Sequence, residues 1–303
     1  MSVNSSSSSN DSLLHPHHSS TNSNLPFGMH CLTTRPGSLI STSYFITNIL
    51  LLLPLCTFIL YLRLQRWRQQ RSTSTAAMTS HSDAFTYHMV IIELIGILSF
   101  FLSCCGIYSD HIGVLMAGHC LWTFIWFGQM FFHTLTCVER YLAVVYPITY
   151  LSLKRERGIR IRNISIGCVW LLCFGGTSLI TLENASLIAD LCVLSLSFFV
   201  ISLCNVSVLC ILIRPGPGKQ GGDRERVDKS KQRAFYTMLA ILGALLLRCI
   251  WNVVWFAFYI MTENGECVLM TSGLWFNLPC SLVLPLLFLH RARMLVCCKN
   301  NTK

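Results

Sequence analysis

Charged residues are scarce in this sequence. Only 12% of its 303 residues are Asp, Glu, Lys or Arg, whereas a soluble globular domain usually carries about 25%. So little charge cannot cover a water-facing surface of this size. Hydrophobic residues make up 53% of the chain, its mean hydropathy is +0.55, and the apolar residues gather in several long segments. This pattern is typical of a protein that crosses a membrane several times.

The chain also lacks the sequence motifs of common enzymes. It has no cluster of metal ligands, no nucleophile motif and no phosphate-binding loop, so we expect neither an enzyme nor a cofactor. Its N-terminus lacks the basic start and short apolar core of a cleaved signal peptide. The first apolar segment is therefore expected to act as its own insertion signal.

The positive charge is confined to a few segments. The formal net charge is +10, and all but two of the 23 Lys and Arg residues (the two being Arg35 and Arg248) lie between or after apolar segments. Positive loops tend to stay in the cytoplasm, so these segments are predicted inside, the N-terminus outside, and nucleic acid is not an expected partner. The basic segments are residues 63–71, 140–162, 214–233 and 291–303.

Seven apolar segments are long enough to cross the hydrocarbon core, which takes about 20 residues of helix. An odd number agrees with an outside N-terminus and a basic cytoplasmic tail. The predicted fold is an all-α membrane protein, a seven-transmembrane-helix bundle with a short amphipathic eighth helix. Residues 1–38 are rich in Ser, Asn and His and are predicted to be disordered and extracellular; residues 39–290 form the bundle and 291–303 the tail. The spans are 39–62, 84–108, 114–146, 164–182, 187–213, 235–261 and 268–290.

The most specific motif closes the third span. Residues 137–150 read CVERYLAVVYPITY, and a basic run follows them. This string resembles the cytoplasmic end of the third helix in rhodopsin-like G-protein-coupled receptors, where the pattern is Asp/Glu-Arg-Tyr-Leu-Ala-x-Val-x-Pro. The resemblance covers about residues 39–298 but is close only here. It implies a plasma-membrane receptor that passes a signal from an extracellular ligand, of unknown identity, to a heterotrimeric G protein.

The same resemblance gives roles to Glu139, Arg140 and Tyr141. In this family the acid holds the arginine in the inactive state, and the released arginine faces the G protein. A guanidinium at a dehydrated helix end needs a partner, so a change of partner can act as a two-state switch. The alternative is that Arg140 is a basic anchor whose charge reaches the membrane surface.

A candidate polar core consists of Glu93 and Gln129. Glu93 lies in the middle of the second span, where an ionisable group is costly unless it is paired or hydrated. Gln129 precedes Arg140 by eleven residues, about three helical turns, so it lies at a similar depth and can meet Glu93. By resemblance Glu93 takes the place of a buried aspartate that binds sodium in many family members. The alternative is a protonated glutamic acid with only a packing role.

Two further switch candidates resemble the family loosely. Trp251 in the sixth span stands one position away from the family's tryptophan, and no proline follows it. Pro285 in the seventh span matches the family's proline, with Leu284 and Phe288 where the family has asparagine and tyrosine.

Arg248 lies deep in the sixth span without an obvious partner. Either it faces a central cavity and binds an anionic ligand, or it pairs internally with Glu183, Asp190 or Glu93. The upper third span offers no aspartate, so an amine ligand is not expected. The candidate ligand-cavity residues are Arg248, Trp122, Trp126 and Trp255.

Covalent features are also predicted. In the family's fold the outer ends of the first and seventh helices are neighbours, so Cys31 and Cys267 are expected to form a disulfide; Cys120 with Cys192 is an alternative bridge. Acceptor patterns for glycosylation begin at Asn4, Asn10 and Asn184. Cys297 and Cys298, in the predicted amphipathic helix, suit palmitoylation next to membrane lipid.

A membrane transporter or channel is the main alternative, together with a decoy receptor that binds without signalling. A transporter would show internal repeats, broken helices and several intramembrane charges. The sequence shows no repeat, and Glu93 and Arg248 are its clear charges deep within spans.

Overall fold

The computed structural model describes residues 27–72, 81–152, 156–178, 183–213, 222–262 and 267–300. These residues are almost entirely helical. Seven of the helices are long and apolar enough to cross a membrane. The protein is therefore an all-α bundle of seven candidate transmembrane helices, and multi-pass membrane character follows from their length and composition.

The helices in chain order are α1 (Phe27–Thr33), α2 (Gly37–Ser72), α3 (His81–Ser109), α4 (Ile112–Val145), α5 (Pro147–Ser152), α6 (Glu156–Ser178), α7 (Glu183–Ile213), α8 (Gly222–Thr262), α9 (Cys267–Ser272) and α10 (Leu278–Asn300), with a 3-10 turn (Gly273–Asn277) between the last two. Candidate spans one to six lie in α2, α3, α4, α6, α7 and α8. The seventh consists of α9, the 3-10 turn and the first part of α10.

The structure corrects the expectation at the N-terminal side of the bundle. Residues 27–38 were expected to be disordered, yet α1 forms here and α2 begins at Gly37. Met29 and Cys31 are buried, and Cys31 is bonded to Cys267. Burial and the disulfide bond offset the conformational entropy that this segment loses when it folds. The composition of the segment does not reveal either of them.

The predicted eighth helix is not a separate element. Within the described residues 267–300, α10 runs unbroken from Leu278 to Asn300. Between Leu286 and Asn300 the sequence has no glycine or proline to end a helix, and nothing else there forces a turn.

The α3–α4 hairpin brings two long helices very close together. Its turn is short because Asp110 adopts φ 55°, a left-handed conformation that aspartate tolerates better than most residues. Ser99 Oγ donates to the carbonyl oxygen of Gly118 at 2.8 Å. A Cβ on Gly118 would lie 2.5 Å from Ser103 Oγ. Small residues thus let the backbones approach, and they align the polar residues farther along both helices.

Helix α4 is the centre of the bundle. It contacts α3, α6, α7, α8 and α10, and its buried side chains are spread over most of its length. Close packing again depends on glycine: a Cβ on Gly128 would lie 2.3 Å from Ile92, and one on Gly176 would lie 2.4 Å from Phe127. A polar side chain on α4 can therefore touch several helices at once.

Candidate functional site

Three buried polar side chains from three helices form a connected group in the bundle. Glu93 on α3 is 1% exposed, Gln129 on α4 is 4% exposed and Arg248 on α8 is 1% exposed. Gln129 Nε2 donates to Glu93 Oε1 at 2.9 Å, and Arg248 Nη1 donates to Gln129 Oε1 at 3.2 Å. The contact between Glu93 and Gln129 is the one that their similar depth indicates.

The Gln129 amide acts as a neutral bridge between an acidic and a basic side chain. An amide offers both a carbonyl acceptor and an NH₂ donor, so it can satisfy a guanidinium on one side and a carboxylate on the other. The same Nε2 also donates to Ser281 Oγ on α10 at 2.8 Å. One side chain thus connects α3, α4, α8 and α10. We call Glu93, Gln129, Arg248 and Ser281 the polar bridge.

Other groups surround the positive end of the polar bridge. The Arg248 guanidinium lies 5.1 Å from the ring centroid of Trp126, within the range of a cation–π contact. Cys280 on α10 and Asp190 on α7 are close enough to Arg248 to act on it electrostatically. His133 Nε2 lies 3.0 Å from the Cys280 carbonyl oxygen. Arg248 is therefore paired internally, and it reaches Glu93 through Gln129.

Several buried polar atoms near this group have no hydrogen-bond partner among the described residues. They are Arg248 Nε, His133 Nδ1, Tyr44 Oη and Asn48 Oδ1. Each unsatisfied buried group costs about 1–3 kcal/mol. Packing alone does not require such an arrangement, so this part of the core is more suited to a functional or bistable role than to maximal stability.

The acid–arginine–tyrosine triplet closes α4. Pro147 ends this helix, because the residue before a proline is disfavoured in the helical region, and Tyr146 has φ −123° and ψ 63°. Helix α5 then begins at Pro147. Its Tyr150 Oη donates to Glu139 Oε1 at 2.9 Å.

Tyr150 is the residue that sequence reasoning missed. It belongs to the conspicuous string at residues 137–150 but received no role there. Glu139 is 7% exposed, and its second oxygen has no hydrogen-bond partner among the described residues. Tyr141 packs edge-on against Tyr146, with ring centroids 5.9 Å apart, and Arg140 is half-buried.

The remaining switch candidates lie on α8 and α10. Trp251 stacks on Phe276 of the 3-10 turn with ring centroids 4.6 Å apart and an interplanar angle of 9°. A Cβ on Gly273 would lie 1.9 Å from Trp251 Nε1, so only glycine fits there. Pro285 lies inside α10. Phe288 is buried against Tyr87, with centroids 5.8 Å apart.

Of the four predicted cavity residues, Trp122 lines a cavity whose wall includes none of the other three. Arg248 is enclosed with Trp126, while Trp122 packs near Tyr44 and Phe100 and lines a different cavity. Trp255 is half-buried on α8. That these four residues line one ligand cavity stays a prediction. Residues 122 and 126 are one turn apart on nearly the same face of α4, and their rings contact different neighbours.

The covalent predictions have mixed outcomes. The structure forms the Cys31–Cys267 disulfide, with Cα atoms 4.9 Å apart, and Cys120 and Cys192 are free. Asn184 lies in the first turn of α7, and Cys297 and Cys298 lie near the end of α10. The side chains of those three residues, and all of Asn4, Asn10 and loop residues 214–221, fall outside the described part of the chain.

No protein-family model matches the chain, and no curated protein sequence matches it. Among the described residues, no group of three or more His, Cys, Asp or Glu side chains is placed to hold a metal ion. The polar bridge and the end of α4 are therefore the candidate functional regions.

Proposed function

We propose that this protein is a divergent rhodopsin-like G-protein-coupled receptor of the plasma membrane, with its N-terminus outside. It would transmit the binding of an extracellular ligand to a heterotrimeric G protein. The observation that carries the proposal is the Glu139–Arg140–Tyr141 triplet in the last turns of the central helix α4, six residues before the proline that starts α5.

In this proposal Arg140 is the group that contacts the G protein, and Glu139 restrains it. The hydrogen bond from Tyr150 to Glu139 supports the idea that α5 takes part in this restraint. A movement of α5 would withdraw the tyrosine hydroxyl and change the environment of the carboxylate. The switch then couples the segment after α4 to the arginine through one acid.

The polar bridge supplies a route from the middle of the bundle to the same helix. Gln129 and Arg140 both lie on α4, and Gln129 holds side chains from three other helices. A ligand that shifts α8 or α10 would alter these hydrogen bonds. Because α4 contacts most of the bundle, such a change can bias the position of its far end.

The test uses basal signalling, because no ligand is identified. Glu139→Gln should raise basal second-messenger output in transfected cells, since it removes the charge that restrains Arg140. Adding Arg140→Lys should abolish that rise at equal surface expression, because lysine lacks the planar fork that makes several hydrogen bonds at once. Arg160→Lys, at an exposed position on α6, is the matched control. Output unchanged by Glu139→Gln, Arg140→Lys and Arg140→Ala, for every G-protein class assayed, would refute the switch.

The orientation has a separate test. An epitope tag before Met1 should be stained on intact cells, and one after Lys303 only after permeabilisation. This expectation rests on the Lys and Arg residues, nearly all of which lie in alternate connections between spans and in the C-terminal tail. Staining of both tags on intact cells would contradict the prediction of seven membrane spans.

A transporter is the second candidate, and one observation favours it. The seventh span is interrupted by a 3-10 turn at Gly273–Asn277, and interrupted helices are common around transporter substrate sites. The two candidates differ in their dependence on a G protein. A substrate flux or current that survives removal of all G-protein α subunits and disappears in Arg248→Met would favour transport.

A further inference from the structure

A cavity of about 90 Å³ lies at the end of the bundle where α1 is found. Its walls come from α2, α3, α4, α9 and the 3-10 turn, and Leu32 of α1 also lines it. Arg248, Trp126 and Gln129 are not among its lining residues. This cavity, which we call the outer cavity, is therefore distinct from the polar bridge.

Aromatic rings form one side of the outer cavity. Phe45 and Phe100 stack with centroids 5.2 Å apart, and Trp122 lies 5.6 Å from Phe100 at an angle of 47°. Such faces suit a flat apolar ring, which can stack on one and meet another edge-on. An engineered apolar cavity of about 150 Å³ holds benzene, so the outer cavity, at about 90 Å³, holds at most a single ring and needs some local expansion to do so.

The polar groups in the wall leave little hydrogen-bonding capacity. Ser99 Oγ donates to the Gly118 carbonyl, and Thr271 Oγ1 donates to the Cys267 carbonyl at 2.7 Å. Those hydroxyl protons are used within the protein. The half-buried imidazole of His119 is the lining group that offers a ring nitrogen, and no Asp, Glu, Lys or Arg appears among the lining residues. A charged ligand would therefore lose its hydration without compensation.

Helix α1 closes the cavity on one side. Cys31, next to Leu32, is bonded to Cys267 at the start of α9, and Met270 and Thr271 of α9 line the same space. The disulfide therefore fixes two parts of the wall relative to each other. A fixed wall lowers the entropy cost of closing around a ligand.

From this geometry we propose that the outer cavity is a binding site for a small, uncharged, single-ring molecule with one hydrogen-bonding group, the chemistry of phenol. The ring would lie against Phe100 and Trp122, and the hydroxyl would meet His119. The proposal does not depend on the G-protein coupling proposed above. Binding to the outer cavity can be measured on the purified protein without a G protein.

The experiment measures binding of phenol, benzene and benzoate to the purified full-length protein in nanodiscs by saturation-transfer NMR and equilibrium dialysis. Phenol should bind more tightly than benzene, and benzoate should not bind. His119→Leu should remove the preference for phenol over benzene, a loss of about 2- to 10-fold, and leave benzene binding intact. His111→Leu, at an exposed position in the α3–α4 turn, is the matched control and should change neither.

Two filling variants test the location. Leu32→Trp on α1 and Leu274→Phe on the 3-10 turn should each abolish binding of both probes, and size-exclusion chromatography selects the variants that remain folded. Benzene has no hydrogen-bonding group, so its binding reports on the ring site alone, even in a variant whose polar contacts in the wall are changed. Binding of phenol that persists in a folded filling variant overturns the proposal. Equal binding of phenol and benzoate also overturns the proposal. Failure of both phenol and benzene to bind, because lipid chains occupy the space, overturns it as well.

Discussion

Removal of the positive charge at Arg248 is the sharpest test of the polar bridge. Arg248 is 1% exposed and donates to Gln129 at 3.2 Å, and Gln129 in turn donates to Glu93 at 2.9 Å. Arg248→Met keeps most of the side-chain length and removes the charge. We expect a large loss of stability, because Gln129 loses the hydrogen bond from Arg248 and the buried Glu93 side chain loses the cation that Gln129 connects to it.

The magnitude follows from what is lost. Breaking a buried charge pair by removing one partner costs about 3–5 kcal/mol, mostly because the other charge stays buried. Glu93→Gln leaves Arg248 with Asp190 as the nearby acid that acts on it and should cost a similar amount or less. The double variant removes both charges, so its free energy of unfolding should be no lower than that of either single variant. The coupling between the two sites should therefore reach about 3 kcal/mol.

The assay is equilibrium unfolding of the purified protein by denaturing detergent in mixed micelles, followed by circular dichroism. Arg160→Met on α6 is the matched control: the residue is exposed, and its replacement should change the free energy of unfolding by less than about 0.5 kcal/mol. If the two single losses add in the double variant to within about 0.5 kcal/mol, Arg248 and Glu93 do not compensate each other through Gln129, and the reasoning is refuted.

The other predictions concern the disulfide and the α8 contact with the 3-10 turn. Cys31→Ser and Cys267→Ser should each lower the free energy of unfolding by about 2–5 kcal/mol, and the double variant should lose no more; additive losses would mean that the cysteines act separately. Gly273→Ala should destabilise the protein by about 1–3 kcal/mol, because the new methyl group meets Trp251. Gly243→Ala on α8, where a Cβ meets nothing within 4 Å, should instead be neutral or stabilising by up to about 1 kcal/mol; equal effects of the two substitutions in thermal unfolding would contradict the packing argument.

Much of the architecture could be predicted from the sequence, because crossing a membrane is a local property of each segment. Length, hydropathy and the absence of charge define the seven spans, and the described helices contain nearly all of them. The depth of a residue along its helix also follows from simple counting, since the rise per residue is constant. For this reason the sequence alone predicts that the side chains of Glu93 and Gln129 can meet.

The expectations that depended on composition alone were weaker. The segment before the first span has a polar composition, yet residues 27–33 form a helix because partners far along the chain bury and tether them. The end of α10 shows the converse error. The amphipathic sequence after the seventh span predicts a separate helix, but no glycine or proline breaks the chain there.

The sequence by itself determined that this chain forms seven apolar helices, with most of its positive charge in the connections and the tail, and an acid–arginine–tyrosine triplet near the end of the third. Only the tertiary structure decided that Gln129 joins Glu93 to Arg248, that Tyr150 holds Glu139 and that Trp122 faces a cavity apart from Trp126. The physical reason is that hydrophobic partitioning acts on each segment separately. Contacts between side chains on different helices depend on how each helix is rotated and how closely it packs, and here small residues on α3 and α4 set that packing.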